Sequence, residues 1–82
     1  MEKASVTVRI PALDGNYDFL IPDNMAVEDV LSLMARILES EYGVSGSATG
    51  LMLLDMADGQ VLRMECSFKQ LGVSDGTRLL MV

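Results

Sequence analysis

Two runs of strict two-residue alternation, each closed by a proline, precede the one long run of helical periodicity, and this order constrains the fold more than any other feature. Val6, Val8 and Ile10 alternate with Thr7 and Arg9, the pattern of a half-buried strand with one face turned to a core. This strand is expected from about Ser5 to Ala12, closing around Pro11. Leu13, Asp14, Gly15 and Asn16 supply turn chemistry, with Gly15 and Asn16 tolerant of positive φ. Tyr17, Phe19 and Ile21 then alternate with Asp18 and Leu20 until Pro22, so the first quarter of the chain is predicted to be a β-hairpin.

From Met25 to Tyr42 the apolar spacing changes to that of a helix, with Val27, Val30, Leu31, Met34, Leu38 and Tyr42 on one side. Asp23 or Asn24 is the expected N-cap. Glu28 and Asp29 complement the dipole in the first turn, and Gly43 provides the stop. The apolar arc of this helix runs from Leu33 and Ile37 round to Ala35 and spans roughly 200°, whereas packing on one sheet needs about 100° or a little more. Leu33 and Ile37 therefore either fold under the edge of a thin domain or meet a partner.

The second half is read in shorter pieces. Residues 43–50 are small and glycine-rich and read as a mobile loop. A phosphate cradle would need a strand before such a loop and a helix after it, and here the order is reversed. Leu51 to Met56 reads as a third strand, residues 57–60 as a hairpin turn and Val61 to Arg63 as a short fourth strand. Ser67 to Leu71 reads as a turn of helix, and Arg78 to Val82 as the last strand. If Asp55 faces water, Met52, Leu54 and Met56 point inward and Leu51 and Leu53 outward, but a one-residue slip would reverse every one of these assignments.

Composition narrows the chemistry. The net charge is −6, and the six cations Lys3, Arg9, Arg36, Arg63, Lys69 and Arg78 are scattered singly. No basic stripe exists to follow a phosphate backbone or an anionic bilayer, so neither nucleic acid nor membrane insertion is expected. One cysteine, Cys66, forms no intramolecular disulfide and fits a reducing, cytoplasmic setting. With no histidine, the usual general base and the usual zinc ligand are missing. Cys66 reads as a small packed residue. Asp14, Asp18, Asp23, Asp55, Asp58 and Asp75 read as turn or edge residues with no calcium-loop spacing. No catalytic residue, metal ligand or cofactor site is expected, and the chain is read as a non-enzyme. At 82 residues, half of them hydrophobic, a small domain has more apolar side chains than its interior holds. Some must lie outside the core, which points to a protein partner.

The order strand, strand, helix, strand, short strand, helical turn, strand resembles the β-grasp, or ubiquitin-like, fold. The resemblance covers Ser5 to Val82. It implies an α+β domain over residues 1–82, with a mixed sheet of order 2-1-5-3-4 wrapping one α-helix. Within that fold, Met25-Ala26-Val27-Glu28-Asp29-Val30-Leu31 is similar to the YukD-like family of bacterial type VII (WXG100) secretion systems. So is the stretch from Val61 to Leu79, with its Glu65-Cys66 pair and its Gly72-Val73 and Gly76 turns. The likeness implies a cytosolic ubiquitin-like protein that assists a secretion machine, whose partner is a component of that machine. The sequence reaches Val82 inside the last strand and carries no Gly-Gly tail, so the expectation is action by binding, not conjugation, and a sulfur-carrier role is disfavoured. With Val6, Val8, Ile10, Leu79 and Met81 facing the helix, Leu80 and Val82 fall on the outer face of the sheet beside Leu51 and Leu53, with Arg9 and Arg78 close by. Those six residues are the expected protein-binding site. The competing expectation is a structural homodimer formed through the same face or through Leu33 and Ile37.

Overall fold

The computed structural model describes residues 2–43 and 52–82. The hairpin forms as its alternation requires, with β1 at Lys3–Ile10 and β2 at Gly15–Pro22 paired antiparallel from Lys3↔Pro22 to Ile10↔Gly15. Pro11 opens a short 3-10 turn, Pro11–Leu13, closed by the Asp14 N–H donating to the Pro11 carbonyl at 3.0 Å. The left-handed residue of the turn is Asp14, φ 50°, and not Gly15 or Asn16 as the turn chemistry suggested; aspartate is among the few L residues that adopt this conformation readily.

Helix α1 spans Val27–Tyr42, strand β3 Leu53–Asp55, helix α2 Phe68–Leu71 and strand β4 Arg78–Met81. The sheet has the order β2-β1-β4-β3, with β1 and β4 parallel at its centre and β3 antiparallel to β4. This is the expected β-grasp arrangement. The short strand anticipated at Val61–Arg63 is reduced to one bridge, Leu54↔Val61, flanked by the Leu62 N–H donating to the Leu53 carbonyl at 2.8 Å.

Val6, Val8 and Ile10 of β1, Phe19 and Ile21 of β2, and Leu79 and Met81 of β4 are buried with Val27, Val30, Met34 and Leu38 of α1 in one apolar core. Leu62, Phe68 and Val73 close its far end. Leu33 and Ile37 are half-buried and pack against this core, so the wide apolar arc of α1 is largely used in folding under the domain edges.

Neither Asp23 nor Asn24 caps α1. The N-cap is Ala26, which offers no side-chain bond. The first helical N–H groups, of Val27 and Glu28, instead donate to the carbonyls of Cys66 at 2.8 Å and Met64 at 3.1 Å. In return the α2 amide of Lys69 donates to the Asp23 carbonyl at 2.9 Å, and Ala26 bridges Ser67. Helix α2 is fixed locally by a capping box, with the Gln70 N–H donating to Ser67 Oγ at 3.2 Å and the Ser67 N–H to Gln70 Oε1 at 2.9 Å. Gly43 ends α1 in the left-handed conformation, as expected.

The parity expected for the third strand is reversed. Leu53 is fully buried opposite Met81, while Leu54 lies opposite Leu80 on the outer face. The reversal traces to Asp55. It sits on the inward register opposite Leu79, but at the strand end, where its Oδ1 accepts from the Ala57 N–H at 2.8 Å and opens the following turn. Asp55 therefore satisfies its carboxylate without facing away from the core, and the premise that it must face water fails. Leu53 is removed from the expected outer face; Leu51 lies outside the described residues.

Three stability measurements test this packing. Leu53→Ala is expected to cost about 2–5 kcal/mol in urea unfolding, and Leu54→Ala about 1 kcal/mol or less; equal costs would contradict the register. Ser67→Ala, which removes the α2 cap, is expected to cost about 1 kcal/mol and to speed amide exchange at Gln70.

Candidate protein-binding face

Because side chains alternate across a strand, the register assigns the outer face without ambiguity. Its central row crosses the sheet as Asn16, Arg9, Leu80, Leu54 and Val61, each a directly paired neighbour of the next. On one side, Met52 and Val82 exchange both backbone bonds, at 2.9 and 3.1 Å, and form a second apolar pair. On the other side run Asp18, Thr7 and Arg78, with Met56 joined to the end by its N–H donating to the Arg78 carbonyl at 3.0 Å.

The result is a contiguous apolar surface over β3 and β4. Leu80 and Leu54 are half-buried at its centre, and around them Val61, Met56, Val82 and Met52 are 53%, 52%, 49% and 38% exposed. None of these six belongs to the core. Exposed apolar side chains are ordinary when scattered; gathered on one sheet face they mark an interaction surface.

Cations border this surface on its β1 side. Arg9 Nη2 lies 3.0 Å from Asp14 Oδ1, in a solvent-exposed pair with little energetic weight. Arg78 is exposed and, among the described residues, joins no ion pair. Thr7 donates its hydroxyl to Asp18 Oδ1 at 2.7 Å. Thr7, Arg9, Asn16, Met56 and Arg78 line an open depression of about 400 Å³. Asp55, Met56, Ala57, Gly76, Thr77 and Arg78 line a second of about 450 Å³. Met56 and Arg78 form the wall the two share.

Of the residues expected at the site, Leu80, Val82, Arg9 and Arg78 lie together on this face, and Leu53 does not. Met52, Leu54, Met56 and Val61 were not anticipated there. The signal for them was the segment Asp55-Met56-Ala57-Asp58-Gly59, where an aspartate at a turn start bonds the backbone two residues on. The Asp58 Oδ1 makes the same kind of bond, accepting from the Gln60 N–H at 2.9 Å.

The centre of this face is apolar. Cys66 is half-buried, and its carbonyl is engaged by α1. Among the described residues no group of His, Cys, Asp or Glu is placed to hold a metal ion, and no helix is long and apolar enough to cross a membrane.

Comparison with known structures places this geometry among ubiquitin-like domains. The ubiquitin-like domain of the Mycobacterium tuberculosis type VII secretion system protein EccD1 superposes with a TM-score of 0.66 at 22% identity, covering 100% of this chain and 99% of that one. A ubiquitin-like domain from Arabidopsis thaliana gives a TM-score of 0.72 at 14% identity, covering 100% of this chain and 78% of the other. A component of the MycP5-free ESX-5 inner membrane complex gives a TM-score of 0.75 at 25% identity; all of this chain is covered, but only 21% of that component. No curated protein matches by sequence. The family described as WXG100 protein secretion system (Wss), protein YukD, matches residues 4–81. With nearly its whole length matched and the β-grasp sheet in place, the chain belongs to the YukD family of the WXG100 secretion system.

Proposed function

We propose that residues 1–82 form a single ubiquitin-like module that works by non-covalent docking on a protein component of a type VII secretion machine, from the cytoplasmic side and without catalysis. The observation that carries this reading is the Leu54–Leu80 pair at the centre of the outer face, ringed by Met52, Val82, Val61 and Met56. Fully burying an aliphatic side chain contributes about 1.5–3 kcal/mol before association costs, so a partner covering this patch gains enough to hold. Methionines at the rim adapt to irregular partner surfaces. The likeness to a component of an inner membrane complex supports a partner within such an assembly.

The competing reading is a homodimer through the same face. Two copies would bring together chains of net charge −6 each, but also Arg9 and Arg78 from both sides, and like charges across an interface disfavour it. A hetero-partner with acidic groups near its apolar contacts avoids that cost.

Leu80→Asp and Leu54→Asp should each abolish co-purification with the membrane proteins of a type VII secretion machine, while the urea midpoint stays close to that of the parent. Loss of stability comparable with Leu53→Ala would show that these leucines serve the core and would sink the reading. So would a dimer that survives dilution on size-exclusion chromatography and is broken by either change. Arg78→Glu should weaken the same capture, and raising salt should weaken the parent's capture more than the variant's, because the lost attraction is screened.

A further inference from the structure

The outer edge of β2, the terminal strand of the sheet, is a second candidate surface, independent of the outer face. The Asp23 N–H donates to the Glu2 carbonyl at 3.0 Å, which makes that a hydrogen-bonded pair of the antiparallel ladder. Such pairs alternate with non-bonded ones, so Ile21, Phe19, Tyr17 and Gly15 turn their backbone groups toward β1. β1 shows the matching parity, since the Thr7 N–H donates to the Thr77 carbonyl at 3.1 Å and the Ser5 carbonyl accepts from the Gly76 N–H at 2.8 Å. The N–H and C=O groups of Asn16, Asp18 and Leu20 consequently point away from the sheet, and among the described residues no backbone group bonds to them.

Sheet edges are usually blunted by lysines, prolines, bulges or short length. Here all eight pairs from Lys3↔Pro22 to Ile10↔Gly15 keep one register, so no bulge interrupts the edge. No lysine lies on it, and its one proline, Pro22, is at the end. Leu20 is 60% exposed on the outer side, and Tyr17, Phe19 and Ile21 start an apolar layer on the inner side. The edge is also acidic. No Lys or Arg occurs between Arg9 and Arg36; Asp18 lies midway along the edge and Asp23 beyond one end, while Asp14 at the other end is paired with Arg9.

We propose that β2 accepts an extended segment of another protein as an added strand, with Lys or Arg side chains on its outer face and aliphatic side chains on its inner face. The backbone groups of Asn16, Asp18 and Leu20 would bind the segment's main chain, and alternate side chains would confer selectivity. A basic side chain opposite Asp18 is favourable, and the methylenes of its neighbour cover Leu20. A second copy of this chain would bring the same acidic edge, which argues for a different partner.

The probes are two nine-residue peptides of alternating Lys and Val, or alternating Glu and Val, added to the full chain and followed by amide hydrogen exchange. With the Lys/Val peptide at about ten times its Kd, exchange at Asn16, Asp18 and Leu20 should slow by about tenfold. The Glu/Val peptide should give no such protection, and Asp18→Lys should reverse the preference. Leu20→Pro removes an outward N–H without touching the β1 ladder, and should abolish protection while the fold persists; if it fails to fold, the charge reversal decides alone. Unchanged exchange, equal protection by both peptides, or protection that grows with protein concentration without peptide would each overturn the proposal.

Discussion

The amino end of α1 is held by the backbone of a segment far along the chain, and the rest of the architecture depends on that closure. A helix leaves its first N–H groups without partners, and here two of them are taken by the carbonyls of Cys66 and Met64. Buried donors left unpaired cost more than most single contacts gain. The Met64–Ser67 segment is therefore drawn onto the helix start, α2 is seated against Asp23, and β4 is delivered to the centre of the sheet beside β1. The two stretches that carry the resemblance in sequence, Met25 to Leu31 and Val61 to Leu79, meet at this junction. What looks in sequence like two separate motifs is one reciprocal contact.

With the core anchored there and by the β1–β4 pair, the side chains of the outer face lie outside the core. Leu79 and Met81 are buried, whereas Leu80 and Val82 alternate outward and contribute little to the core. Period-two alternation lets one strand serve packing with one set of side chains and leave the other set available for the proposed docking. A surface of this kind can change its partner contacts with small effect on folding.

Most of the fold was legible because its elements carry local signals: alternation in β1 and β2, a 3.6-residue period in α1, a glycine at the helix end. The parity of β3 was not, and one residue explains why. A three-residue strand has too little alternation to set its own register, so the assignment rested on Asp55, and Asp55 belongs to the turn as much as to the strand. The cap of α1 was hidden for another reason. Asp23 and Asn24 are good capping residues, but the carbonyls that close the helix are distant in sequence and leave no mark in side-chain type. Leu80, Val82, Arg9 and Arg78 fall on the outer face because β1 and β4 alternate clearly; Met52, Leu54, Met56 and Val61 join them only through the parity of β3.

Charge varies in one direction across the outer face. Asp18 lies on β2, Arg9 and Arg78 lie on β1 and β4, and the apolar cluster continues over β3 to Val61. Exposed charges at such spacing add little affinity, because water and salt screen them. They do distinguish orientations, since a partner turned around would set like charges together. The apolar cluster, by contrast, is almost blind to orientation, because the hydrophobic effect is non-directional. In the proposed docking, strength and direction would thus come from different strands of one sheet, and the division follows from the same register that puts Leu53 inside and Leu54 outside.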